Sequence, residues 1–289
     1  MVTSIPRHDY PTDSAAEGLA VLKETASWVL GELEEPDDIG RAQALDTSLT
    51  LAQSHCAVDP TATKFDTWEA WVTAMQVGSA LFASATAAEG PVPCRIEVGG
   101  EVRDLPATGP QPYLHAGAWI TSFYLAAICR ENQRAEELAR VPVSFLRESG
   151  AVFDEYVYAW VETLQSFWFG REDTWDKLVT AVNGTDPEVA RVADKELMLK
   201  ILYPPLELFH RYLRRDAAQF NAAMVDALTW HKEYWSGNES RAMSSDGLVA
   251  LGPLAIACMA RDADMPIEVE SEYLPKELLE FGWAGEVDT

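Results

Sequence analysis

Residues 247–260, GLVALGPLAIACMA, decide the fold. The run carries no charge, and Leu248, Val249, Leu251, Leu254, Ile256, Cys258 and Met259 fall on every side of a helical wheel. A helix that is apolar all round is buried all round. Spanning a bilayer takes about 20 such residues, more than this run holds. It therefore reads as a central helix that other helices surround. Asp246 is placed to cap its N-terminus. Pro253 removes one backbone hydrogen bond inside it, which predicts a kink over 249–252.

Most of the chain around this run has helical periodicity. An extended arm, 1–13, holds Pro6 and Pro11. A helix follows over 14–33, with Leu19, Val21, Leu22, Trp28 and Leu30 on its apolar face. Glu32, Glu34, Glu35, Asp37 and Asp38 form an acidic linker around Pro36, and a second helix covers 40–57. The third starts at Asp66, with Asp66 and Glu69 at capping-box spacing. From Pro110 the expected helices are 111–131, 132–149, 153–169, 172–183, 187–203, 205–214, 216–235 and 246–262. Three stretches echo one another at 40- to 45-residue spacing: ICRENQRAEEL, FWFGREDTWDKL and YLRRDAAQFNAAM. In each a long helix ends in a charged turn and a shorter helix follows, as in stacked helix pairs. Residues 93–106 differ. Ile96, Val98 and Val102 around Gly99-Gly100 predict a short β-hairpin, which has to lean on helices because a lone ribbon is marginal in water. Over 264–289 the helical period fades: Ile267, Val269 and Ser271 alternate with Glu268, Glu270 and Glu272, as in a short extended segment. The expected architecture is one all-α domain over 1–289, an irregular or repeat-like multi-helix bundle with one hairpin.

The charge narrows the function. With 22 basic and 46 acidic residues the formal charge is −24. That field repels nucleic-acid backbones and anionic membranes and attracts basic proteins. Cys56, Cys94, Cys129 and Cys258 are far apart, without a zinc or disulfide pattern. No signal peptide or transmembrane run is evident, so the cytoplasm is the expected location.

No catalytic constellation is legible. Ser144, Ser149 and Ser166 sit in no nucleophile elbow, and neither a phosphate-binding glycine loop nor a dinucleotide fingerprint is present. Asp154 and Glu155 are helix neighbours pointing about 100° apart. Glu207 and His210 have the i, i+3 spacing of carboxylate-bridged metal bundles, and His231 on the next helix is available to complete a site. Such bundles use the motif twice, and here it occurs once. The expectation is no metal, no cofactor and no catalytic residue.

TWEAWVTAMQVGSALF (67–82), DPEVARVADKELMLKILYPP (186–205) and VALGPLAIACMARDADMPIEVESEYLP (249–275) resemble the immunity protein 49 family, widespread in actinobacteria, as does the opening VTSIPRHDYP (2–11). The resemblance implies an all-α member of a polymorphic toxin system that binds and blocks a cognate toxin. A basic toxin suits the charge. Its expected docking residues are Glu32, Glu34, Glu35, Asp37 and Asp38, then Glu268, Glu270 and Glu272, with Tyr234 and Trp235 as an aromatic anchor. Two other readings compete: an enzyme that reused the fold, for instance in secondary metabolism, and a helical-repeat scaffold. An apolar pocket with convergent polar groups favours the enzyme. A broad acidic face with exposed aromatics favours the inhibitor, and an open concave groove favours the scaffold.

Overall fold

The computed structural model describes residues 2–35, 37–100 and 102–283. Met1, Pro36 and 284–289, parts of the expected arm, linker and tail, lie outside them. After β1 (Thr3–Ser4), helices α1 (Thr12–Gly31), α2 (Ile39–Val58) and α3 (Phe65–Thr86) pack on one another in sequence. The hairpin β2 (Val92–Arg95) and β3 (Val102–Leu105) leans on α3 through β2. Then come α4 (Ala116–Ile128), α5 (Asn132–Ala139), α6 (Val143–Arg147), α7 (Glu155–Trp168) and α8 (Thr174–Gly184). Next, α9 (Lys195–Leu197) runs into a π-helical turn, Met198–Leu202, before α10 (Pro204–Leu213) and α11 (Ala217–Trp235). The chain closes with α12 (Glu239–Ala242), α13 (Leu251–Asp262), β4 (Val269–Glu270) and α14 (Lys276–Glu280). Helix makes up 62% of the structure, so the chain is all-α with a small hairpin, as its periodicity predicts.

The central run behaves as expected in burial but not in geometry. Leu254, Ile256, Cys258 and Ala260 are wholly buried where α13 packs against α4, α10 and α14. The helix starts only at Leu251. Residues 245–247 form a separate 3₁₀ turn, and Ala250, not Asp246, occupies the cap position. Pro253 thus lies in the first turn, where its missing N–H has no intrahelical partner to lose. The first helical bond runs from Leu254 N to Ala250 O, 2.8 Å. The expected kink is absent for this reason. A proline inside a helix costs about 3 kcal/mol, so a kinked helix would gain about that much from Pro253→Ala. Here the substitution is expected to shift stability by no more than about 1 kcal/mol, measured by urea denaturation.

The echoed turns share one cap. Arg130, Gly170 and Arg215 all adopt positive φ at the ends of α4, α7 and α10. The following amide reaches back five residues each time: Glu131 to Ala126 O, Arg171 to Ser166 O, Asp216 to Arg211 O. This is the Schellman geometry, which satisfies carbonyls left free at a helix end.

Several expected boundaries move. Helix α1 begins at Thr12, inside the expected arm, and its Trp28 is exposed rather than on the apolar face. The capping box at Asp66 does not form: α3 starts at Phe65 without a side-chain cap, and Asp66 pairs with Lys23 at 2.8 Å. Instead, Asp59 organises the turn, accepting from the amides of Thr63 and Lys64 and the hydroxyls of Thr63 and Thr67 at 2.7–3.1 Å. Residues 187–194 are not helical. The Asp154 carboxylate takes the amides of Arg191, Val192 and Ala193, which holds them as a loop. The run 132–149 breaks between α5 and α6, where Pro142 cannot continue a helix. The hairpin is not alone: β1 pairs in parallel with β4, Thr3 opposite Val269 and Ser4 opposite Glu270. The C-terminal segment also contains α14, and Trp283 donates to Ala62 O at 3.1 Å beside Phe65 and Trp68.

Candidate functional site

The first acidic stretch is a corner built around a buried cation. Arg41, 1% exposed, sits one turn into α2. Its guanidinium donates to Leu33 O at 2.9 Å, to Glu35 O at 2.6 Å and to the Asp38 carboxylate at 2.7 Å. These bonds fold the α1–α2 connection inward and leave Glu34, Glu35, Asp37 and Asp38 on the outside, with Glu32 half-buried. The hairpin braces the same corner: Glu34 accepts from Asp104 N at 2.8 Å, and Arg103 donates to Leu30 O at 2.8 Å. Three apolar residues of this corner are more than half exposed: Trp28, Ile39 and Val102. Sequence periodicity assigned Trp28 to the core. The signal that could have placed it outside is its position three residues before the end of α1, next to the acidic linker.

The second acidic stretch has a different support. Glu268, Glu270 and Glu272 are exposed, while Val269 and Tyr273 between and beyond them are buried. The Glu268 and Glu270 carbonyls accept from Thr3 N and Ile5 N, so the arm and the tail form one ribbon along α11. The Tyr273 hydroxyl accepts from His8 N at 3.0 Å and lies 2.9 Å from His8 Nδ1. His231, at the other side of Tyr273, donates from Nε2 to Gly247 O at 3.0 Å.

Tyr234 and Trp235 are both half-buried and meet edge to face, ring centres 5.2 Å apart. Tyr234 lies under the Arg241 guanidinium, 3.9 Å from its ring centre. Trp235 is half-buried, and a Cβ at Gly247 would come within 2.8 Å of its ring. Its indole faces the wall of a cavity of about 530 Å³ between α2, α4, α7, α10, α11 and the start of α13.

The alternative metal set is not assembled. Glu207 accepts from Arg211 at 2.7–2.8 Å and from the Tyr203 hydroxyl at 3.2 Å. His210 Nε2 accepts from Arg214 at 3.1 Å, and His231 is committed to Gly247. Among the described residues no three His, Cys, Asp or Glu side chains cluster as a metal site. All four cysteines are buried and unbonded to one another; burial pushes the Cys56 thiol up to about 12 and Cys258 to about 11. Among the described residues no helix is long and apolar enough to cross a membrane.

No curated protein and no solved structure matches the chain. A family model does. The model described as immunity protein 49 matches residues 59–278, from the Asp59 turn through the central helix to α14. That match spans most of the chain and contains all three of its long resembling segments, and the chain belongs to the immunity protein 49 family.

Proposed function

We propose that this chain is a non-catalytic inhibitor that binds a cognate toxin in the cytoplasm of the cell that makes it, and that the toxin surface it meets is basic. Family membership is the observation that carries the reading. The charge of −24 supports the sign of the partner. The Arg41 corner is the preferred docking surface, because it combines outward carboxylates on a fixed backbone with exposed Trp28 and Ile39. Interfaces need both: aromatic anchors supply most of the binding energy, and rim charges set the capture rate. The ribbon carboxylates Glu268, Glu270 and Glu272 are the second surface. Trp235 serves the protein's own packing in this reading.

The test uses the cognate toxin domain, sought among the neighbouring genes, with binding followed by surface plasmon resonance at two salt concentrations. Reversing Glu34, Glu35 and Asp37 to Lys is expected to slow association roughly tenfold and to flatten its salt dependence. Trp28→Ala is expected to speed dissociation, at a cost of about 2 kcal/mol in affinity, with little change in melting temperature because the ring is exposed. Reversing Glu268, Glu270 and Glu272 separates the two surfaces. Association that ignores salt and all three sets of changes sinks electrostatic docking. A toxin that neither binds nor is neutralised sinks the inhibitor reading.

A further inference from the structure

The cavity beside Trp235 is not used by this docking reading. Protein interiors are close-packed, with few voids larger than a water molecule. At about 530 Å³ this cavity instead falls within the range of small-molecule pockets, about 300–1,000 Å³. Leu49, Ile120, Val157, Ile201, Leu206 and Val249 typify its wall, which is overwhelmingly apolar. It opens to the surface past Val152 and Val192, which are 75% and 53% exposed. Exposed valines at a mouth are a poor solubility choice and a good entry for an apolar molecule.

The charged residues of the wall are engaged elsewhere. Asp154 is held by three backbone amides. Lys200 lies between Glu196 at 3.2 Å and Glu233 at 3.3 Å. His231 donates its Nε2–H hydrogen bond to Gly247 O. Among the described wall residues no cation is left to pair with an anionic ligand. The remaining wall carboxylate is Asp246, which adds no positive charge for an anion. Three polar atoms of wall residues make no hydrogen bond inside the protein: Gln53 Oε1, Tyr156 Oη and Trp235 Nε1. They are an acceptor, a hydroxyl and a donor, each on a side chain that lines the cavity.

We propose that this cavity binds an uncharged, largely apolar small molecule carrying a single hydrogen-bonding group such as an alcohol or amide. The site is independent of the toxin-docking surfaces, and it stands or falls separately from the inhibitor reading.

The experiment titrates the full chain with N-phenyl-1-naphthylamine, a neutral probe that fluoresces in apolar surroundings. The expected result is saturable binding of one probe per chain. Decan-1-ol displaces it, and decanoate does so at least about tenfold less effectively. Val192→Trp, at the exposed mouth, and Ile120→Trp, in the wall, each weaken the probe at least about tenfold. The Val192 variant keeps the parental melting temperature, so its loss of binding cannot come from unfolding. Absence of saturable binding overturns the proposal. So does displacement by decanoate as effective as by decan-1-ol, or parental affinity in the Val192 variant.

Discussion

Arg41→Met is expected to destabilise the protein by about 3 kcal/mol, one of the largest effects available from a residue outside the apolar core. The side chain is 1% exposed, yet its guanidinium is bonded to the Leu33 and Glu35 carbonyls and to Asp38. Methionine fills much of the same space but donates nothing. The buried Leu33 carbonyl then loses its partner, at about 1–3 kcal/mol for an unsatisfied buried group, and the part-buried Glu35 carbonyl, which water can reach, adds less. The Asp38 ion pair adds less, because Asp38 is half exposed and screened by water. Arg41→Lys is expected to recover only part of the loss, since a lysine ammonium cannot fork across several carbonyls. Urea denaturation at pH 7 measures both. A methionine variant within about 0.5 kcal/mol of the parent would show that the corner does not depend on Arg41. The same variant probes function: if the docking surface is this corner, toxin capture slows even where the fold survives.

Acidification from pH 7 to pH 4.5 is expected to remove about 2–3 kcal/mol of stability through His231 alone. Burial, only partly offset by the bond to Gly247 O, holds its imidazole down to about 4, whereas an unfolded chain takes that proton near pH 6.5. As pH falls the unfolded state binds the proton first. The contribution is therefore complete above pH 6.5 and disappears progressively toward pH 4. His8, on the far side of Tyr273, is lowered in the same direction by burial. Asp59 and Asp154 lose their contributions at more acid pH: although burial opposes it, amide bonds, joined at Asp59 by two hydroxyls, hold both carboxyls below the usual range. Glu69 works the other way, because burial, and then nearby Asp66, raise it and protonation relieves both. Comparing the parent with His231→Gln isolates one group, since glutamine can still donate to Gly247 O but does not titrate. The variant is expected to show a flatter stability profile between pH 6.5 and 4.5. Parallel profiles would contradict the buried neutral imidazole.

What the sequence determined by itself is what nearest neighbours along the chain can encode. The unbroken apolar run around Ile256 fixed a buried central helix, because no face of it can be left in water. The 3.6-residue period fixed an all-α chain, and Gly99-Gly100 marked the turn of the hairpin, although Ile96 and Val98 lie in the connection and not in a strand. The charged turns at Arg130, Gly170 and Arg215 were legible as a repeated helix ending, since a cap is made within six residues.

The tertiary structure alone decided whatever depends on a distant partner. Pro253 read as a kink because sequence shows a proline inside an apolar run. Only the turn at 245–247 and the bond from Ala250 N to Tyr273 O show that the helix starts after it. Asp154 read as a spare carboxylate on a helix. Its three amide partners lie 37–39 residues away, and they convert an expected helix over 187–194 into a loop. Trp28 lies exposed and Trp235 half-buried for the same reason: periodicity gives a residue's face on its own helix, and burial depends on what packs there. The cavity was illegible altogether. It is the space left between six helices, and the volume between helices is set by their packing, which no single segment of sequence encodes.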